Sequence, residues 1–457
     1  MAKLLVRAGF CMHAGLALAV AMLPLCLPLT AQSPGTASFF LSGAGGRKKS
    51  ASAPGPPPVR ATLPPAFTIP IDPLGFSPPG TFYLGLRYSL ASLDFLDDDH
   101  LLFTFRVPGL IHRDLSHRET NGNDPNEERK VRAVVLKLPE GTVQAEAVWS
   151  LHDRKRYLWM LDNGQFLLRD RDNLQLGDAT LQLKPYLRFP GPVLWVEMDP
   201  ARKFVIAGSS EPPTSASKAG EVAGPTSAAA TIVSDDPRPG AEPDLILRIL
   251  RRDSGKVMLV THVRSAVHLP INSDGYLETL RGNGKAWAVN LNYFSGGSTT
   301  VGTIDSVCSP MLDFVSPRQF LATTCDPDGN PRVVAMSTGG RHLWEYPGSG
   351  SSVWPVLITS RSGSRLARET LTTGHSVNSF SPISTEDVKG QDVQVFDAAT
   401  GKVVLRAQAN PIFDVGGNVA ISPSGLRAAI LMSEGIQVFD LPVPPPLPDD
   451  PQKPLKP

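Results

Sequence analysis

VAISPSGLRAAIL, residues Val419–Leu431, is a short apolar run, a polar turn and a second apolar run. It reads as two antiparallel strands joined by a tight turn. The same plan recurs in LDFLDDDHLLFTF, VWSLHDRKRYLWM, VLWVEMDPARKFVIA, VHLPINSDGYLETL, MLDFVSPRQFLA and VWPVLITSRSGSRLA. Seven hairpins of one design predict an all-β, seven-bladed β-propeller, because each blade buries its faces only against neighbouring blades.

A second phrase follows the first. VRAVVLKLPEGTVQAEA, LILRILRRDSGKVMLVT and VQVFDAATGKVVLRA each give a strand, a turn at Gly141, Gly255 or Gly401, and another strand, and RVVAMSTGGRHLWEY is a looser copy. The alternation in VQVFDAATGKVV has strand period. Together the two phrases predict four antiparallel strands per blade. The last blade stops at its third strand, IQVFDLP. The apolar TFYLGLRYSL (Thr81–Leu90), with Phe82, Leu84 and Leu86 on one face, is expected to pair beside Ile436–Leu441 and close the ring, leaving no open edge.

The AISPSGLRAAI hairpin followed by a VFDAATGKVV-like pair resembles the WD40-like bacterial propellers. Thr81–Pro442 as a whole resembles a group of functionally uncharacterised secreted propeller proteins of soil bacteria, most closely in SLASLDFLDDDHLLFTFRVPGL and SLHDRKRYLWML. The Trp-Asp and Gly-His pairs of true WD40 repeats are absent. The resemblance implies architecture and carries over no catalytic residue.

Around the expected propeller (81–442) lie segments of other character. Residues 1–31 have Lys3 and Arg7, an apolar run broken by Pro24 and Pro28, and Leu-Thr-Ala before Gln32, the pattern of a cleaved export signal. The run of about 16 residues is short of the roughly 20 that span a bilayer. Residues 32–80 are rich in Pro, Gly, Ser and Ala and predict a disordered lead. A low-complexity insertion is expected at 208–243, a polar one at His117–Lys130, and a proline-rich tail at 443–457. Length variation is thus confined to loops.

The chain has 457 residues, 44 prolines, 40 glycines, 19% charged residues and a net charge of +1. No global basic field points to nucleic acid, and no membrane span is expected after cleavage. Export leaves Cys308 and Cys325 as the remaining cysteines, and an oxidising compartment, periplasmic or extracellular, predicts a disulfide between them. In CSPMLDFVSPRQFLATTC a four-residue turn at Val315–Arg318 would put Phe314 opposite Gln319 and Cys308 opposite Cys325.

Chemistry-bearing clusters are sparse. Asp97, Asp98 and Asp99 could hold a hard cation but sit where the first hairpin turns. Asp326, Asp328, Gly329 and Asn330 imitate the start of a calcium loop, yet Thr338 and Gly339 stand where a ligating Glu is needed; both read as turns. His112, His117 and His152 lie near charged clusters without metal-ligand spacing. No nucleophile elbow or phosphate loop is present. Arg154, Lys155 and Arg156 read as a solvated hairpin turn, with Tyr157, Trp159 and Leu161 pointing inward.

The sequence therefore predicts an exported, monomeric binding or scaffold module with no catalytic, metal or cofactor residues, its partner a protein, peptide or carbohydrate. The alternative is a propeller enzyme, such as a quinoprotein-like dehydrogenase or a metal-dependent lactonase. His, Asp, Glu or Asn side chains converging at the channel mouth would favour the enzyme, and an exposed aromatic patch would favour the binder.

Overall fold

The computed structural model describes residues 61–77, 91–107, 129–152, 156–211, 230–231, 244–282, 284–348, 351–377, 383–413 and 416–445. The first strand, β1 (Phe67–Pro70), is followed by blade 1, β2 (Ala91–Phe95), β3 (His100–Arg106), β4 (Arg129–Lys137) and β5 (Thr142–Leu151). Blade 2 comprises β6 (Leu158–Met160), β7 (Phe166–Asp170), β8 (Asn173–Gly177) and β9 (Lys184–Arg188). Blade 3 has β10 (Val193–Met198) and β11 (Phe204–Glu211); β12 (Ala230–Thr231) follows in the chain, and β13 (Asp244–Arg251) and β14 (Val257–Val263) complete the blade.

Blade 4 has three strands, β15 (Gly275–Arg281), β16 (Ala286–Tyr293) and β17 (Ser298–Asp305). Blade 5 is β18 (Met311–Ser316), β19 (Gln319–Cys325), β20 (Pro331–Ser337) and β21 (His342–Pro347). Blade 6 is β22 (Ser352–Thr359), β23 (Arg365–Thr373), β24 (Val388–Asp397) and β25 (Val403–Gln408), and blade 7 is β26 (Val419–Ile421), β27 (Arg427–Leu431) and β28 (Gly435–Asp440), completed by β1. The expected all-β, seven-bladed antiparallel propeller is the observed fold.

Burial explains the strand patterns. Second strands pack on both faces against neighbouring blades, so β3 and β23 read as nearly unbroken buried runs. The outer strand β5 is mostly exposed and alternates polar with apolar. Among the described residues seven apolar clusters account for the seven interfaces between adjacent blades: that of blades 7 and 1 is the largest, and that of blades 3 and 4, around Phe204, Ile206, Leu247, Ile249 and Ile271, has the fewest buried residues. All six tryptophans lie in strands.

Several expectations are corrected. The ring is closed by β1, in register Phe67↔Val438 and Ile69↔Ile436, and not by Thr81–Leu90, which lies outside the described residues. The segment expected as a disordered lead thus contributes core: Ile69, Ile71, Leu74 and Phe76 are buried between blades 7 and 1. Isoleucine and phenylalanine placed among prolines gain more by burial than the local composition suggests. The insertion in blade 3 begins after Glu211, because Gly208–Glu211 complete β11, and Ala230–Thr231 within it pair in parallel with β9 of blade 2. Strand β4 likewise takes Arg129 and Lys130 from the polar insertion of blade 1.

VWSLHDRKRYLWM is not a hairpin. Its first run ends β5, the outer strand of blade 1, and its second is β6, the first strand of blade 2, whose true hairpin turns at Asp162–Gly164. A crossover between blades and a hairpin share the same apolar-polar-apolar signature, so spacing alone does not separate them. In VHLPINSDGYLETL only a bridge between Ile271 and Tyr276 forms before β15. Pro270 has no N–H to give a ladder, and blade 4 is left with three strands.

Candidate binding site at the channel mouth

The first strands of adjacent blades, β22, β26, β2 and β6, touch one another, so they ring the axis and their turns to the second strands gather at one axial face. Three of these turns are built alike. Ser422-Pro423-Ser424-Gly425, Ser360-Arg361-Ser362-Gly363 and Asp199-Pro200-Ala201-Arg202 each close with an N–H of the fourth residue donating to the first carbonyl, at 2.9, 2.9 and 3.0 Å. The first side chain caps the return strand: Ser422 Oγ accepts from Arg427 N at 3.0 Å, Ser360 Oγ from Arg365 N at 3.0 Å and Asp199 Oδ1 from Phe204 N at 2.7 Å. The fourth residue has positive φ, 78° at Gly425, 69° at Gly363 and 54° at Arg202. Two turns use the residue that tolerates this conformation and the third uses arginine, at a cost of about 1 kcal/mol.

The Arg202 Nε is buried and has no hydrogen-bond partner among the described residues. Burial, then the like charge of Arg156, with Arg361 adding to it, pushes its pKa down to about 10 against the pull of Asp199 and Asp162. Arg361, from the blade 6 turn, reaches across the axis to donate to the carbonyls of Leu161 in blade 2, at 2.7 Å, and Leu96 in blade 1. Arg156 uses Nε on the Leu158 carbonyl at 3.1 Å and lies 5.5 Å from the centre of the Trp159 ring; its Nη groups have no partner among the described residues. Solvent reaches the Arg156 side chain, yet enough protein surrounds it that burial lowers its pKa, against the fields of Asp94 and Glu197. The hairpin expected here is corrected to a crossover from blade 1 to blade 2; Arg154 and Lys155 lie outside the described residues, and Arg156, exposed as expected, leads into β6 between the fields of Asp94 and Glu197. Tyr157, Trp159 and Leu161 are buried as expected.

A belt of alternating charge runs around the first strands: Asp94 in blade 1, Arg156 in blade 2, Glu197 in blade 3, His268 before β15 and Asp313 in blade 5. Burial pushes Asp94 up to about 6, outweighing the hydrogen bond from Ser92 and the fields of Arg156 and Arg202. His268 donates from Nδ1 to Glu197 Oε1 at 2.9 Å and from Nε2 to the Leu312 carbonyl at 2.6 Å, with Asp313 Oδ1 3.2 Å away. Burial opposes its charge, but the Asp313 and Glu197 carboxylates prevail and raise its pKa to about 11. With both nitrogens engaged and a proton on each, His268 is neither a general base nor a metal ligand, which requires neutral imidazole. Convergence of acidic and imidazole groups near the axis, the arrangement expected of an enzyme, is here an ion-pair staple.

The other candidates are turns. Asp97 Oδ1 accepts from Asp99 N at 2.8 Å, and Asp98 Oδ1 accepts from Ser424 N and Oγ at 3.1 and 2.8 Å. Asp326 Oδ1 accepts from Asp328 N at 2.9 Å and Asn330 N at 2.8 Å, with Gly329 at φ 86°. His152 Nδ1 lies 3.1 Å from Asp170 Oδ1, while His112 and His117 lie outside the described residues. Cys308 and Cys325 lie at disulfide distance, sulfurs 2.05 Å and Cα atoms 5.5 Å apart. Their hairpin has a different register from that expected: Phe314 faces Phe320, and a bulge at Val315 leaves a two-residue turn, Pro317–Arg318. Exposed large apolar side chains among the described residues are aliphatic, so the aromatic rim patch expected of a binder is not the feature of this face.

Sequence reading missed Arg202, Arg361, His268, Asp94, Glu197 and Asp313. One signal was present: aligning DPARKF with SPSGLR puts an arginine on the turn glycine. Nothing local marked His268, whose partners come from blades 3 and 5.

No protein-family model matches the sequence, and no curated protein matches it. Among solved structures, the chain is similar to the WD40 domain of Toxoplasma gondii coronin, at 10% identity and a TM-score of 0.43, over 86% of this chain and 88% of that one. It is similar to the β-propeller domain of the trilobed protease from Pyrococcus furiosus, at 9% identity and a TM-score of 0.39, over 77% and 95%. A third is Pyrococcus horikoshii acylaminoacyl peptidase, at 8% identity and a TM-score of 0.42, over 78% of this chain and 52% of that one, so the chain spans about half the length of that peptidase. The architecture rests on the seven sheets described above.

Proposed function

We propose that the chain is an exported binding module whose recognition surface is the axial face formed by the first turns of the blades. The observation that carries this is the polar character of that face: turns from blades 1, 2, 3, 6 and 7 bring Asp98, Asp162, Arg202, Arg361 and Ser424 together, two of them arginines that reach toward the axis. A propeller holds such loops on a rigid frame, which lowers the entropic cost of ordering them on binding. Partners in keeping with the fold are proteins, peptides or carbohydrates. Export is supported by the leader-like residues 1–31 and by the cysteine pair at disulfide distance. Among the described residues no helix is long and apolar enough to cross a membrane.

The test is to screen peptide and glycan arrays with the full chain and map the hits by hydrogen exchange. Protection gained at turns 96–99, 161–165 and 199–203 is the expected result. Protection confined to the outer strands β5 and β14 would overturn the reading.

A further inference from the structure

We propose that Arg156 and Arg202, in the field of Arg361, bind a carboxylate group of the ligand. The inference rests on the axial-face reading above and names the chemistry that face recognises. Guanidinium groups of like charge repel, so a fold gathers them only where something compensates. The nearby carboxylates do so incompletely. Asp199 Oδ1 and Oδ2 take the amides of Phe204 and Ala201, Asp162 takes Arg252 at 3.1 Å, Asp98 takes Ser424, and Glu197 takes His268. Asp94 accepts from Ser92 and adds its field without a hydrogen bond to either arginine. Among the described residues, what remains is a buried Nε on Arg202 without a partner and both Nη groups of Arg156.

The planar edge of a guanidinium pairs with two oxygens of one carboxylate. The surrounding Asp94, Asp162 and Asp199 select for low charge. A carboxylate brings a single negative charge into their field, whereas a phosphate dianion brings two. Arg202 also stands where the equivalent turns of blades 6 and 7 have glycine, and holds a positive φ that arginine adopts at a cost. A side chain that stands against its residue's backbone preference is expected where it has a task.

Arg202→Gly is the decisive variant, because it restores the glycine of the matching turns while removing the guanidinium. Binding of glutarate and of a hexaglutamate peptide to the full chain is measured by calorimetry at low salt, with phosphate and sulfate as competitors. The two carboxylate probes distinguish a free acid from a peptide-borne one. The expected result is saturable carboxylate binding, weakened at least about tenfold by Arg202→Gly and by Arg156→Gln, and unchanged by Arg188→Ala on outer strand β9. Melting temperature of Arg202→Gly should equal or exceed that of the wild type. If it falls instead, Arg156→Gln, which touches no turn, decides the binding question. Unaltered binding in both variants, tighter binding of phosphate or sulfate, or no carboxylate binding would overturn the proposal. Array hits that still protect the axial turns would then leave the broader reading standing, so the two failures are distinguishable.

Discussion

His268 and Glu197 join neighbouring blades where the fold is thinnest: the imidazole Nδ1 meets Glu197 Oε1 at 2.9 Å, beside the interface with the fewest buried apolar residues. Blade 4 has no full inner strand, and this ion pair, with Asp313 on the far side, fixes the 267–271 segment to blades 3 and 5.

His268→Ala should therefore destabilise the protein by about 1–2 kcal/mol, the value for charged hydrogen bonds discounted for solvent screening of a partly exposed group. The imidazole binds its proton more tightly folded, at about 11 against 6.5, so its contribution is complete below pH 6.5 and is lost as pH rises through 11. Urea titrations of wild type and variant should show a stability gap that narrows steadily from neutral to alkaline pH. A gap independent of pH would refute this assignment.

Glu369 should make stability fall in a partly different window. Fully enclosed by blades 6 and 7, its carboxyl is pushed up to about 8 from 4.5 by burial, against the hydrogen bond from Gln391 at 3.0 Å. The folded state holds the proton that the unfolded state releases, so stability declines as pH rises from 4.5 to about 8 and is lowest above that range. Glu369→Gln should flatten this slope and raise the melting temperature at pH 9, by an effect on the order of a few kcal/mol. Equal melting temperatures at pH 9 would contradict the prediction.

Closure by β1 should be essential. Ile69→Ala should cost about 2–5 kcal/mol, as for a fully packed core isoleucine. Deleting Phe67–Pro70 should expose β28 as an open edge and cause aggregation. Light scattering of the deletion variant is the check, and a soluble, unaltered monomer would refute it.

Mass spectrometry of non-reduced protein made in an oxidising compartment should find Cys308 and Cys325 joined, stabilising the fold by about 3 kcal/mol in the chain-entropy account. Two alkylatable thiols would be the contrary result.

N-terminal sequencing of protein recovered outside the cytoplasm should begin at Gln32. Recovery with Met1 intact would argue against a cleaved export signal.

Much of the architecture was legible because it is periodic. Hairpins at Asp94–Leu102 and Val419–Leu431 carry their own turn residues and alternation, so each copy supports the next. The closing strand was not legible, since Phe67–Pro70 is short, ends in proline, and becomes a strand only when β28 lies beside it. TFYLGLRYSL is longer and more apolar and was the better local candidate. The axial site was hidden for a related reason. Arg156, Arg202 and Arg361 are far apart in sequence and belong to three blades, and only the ring brings them to one axis. Tyr157 and Trp159 are buried as the sequence predicts, because strand alternation alone fixes which side chains point inward.

Pairing of β1 with β28 also sets a clock on folding. The first strand of the ring is made at the start of the propeller and its partner at the end, and at about 5–20 residues per second the delay is on the order of tens of seconds. Through that interval β1 has no strand to pair with, and the interface of blades 7 and 1 lacks the wall that β26, β27 and β28 supply. The chain consequently stays short of its final state until synthesis of the ring is complete.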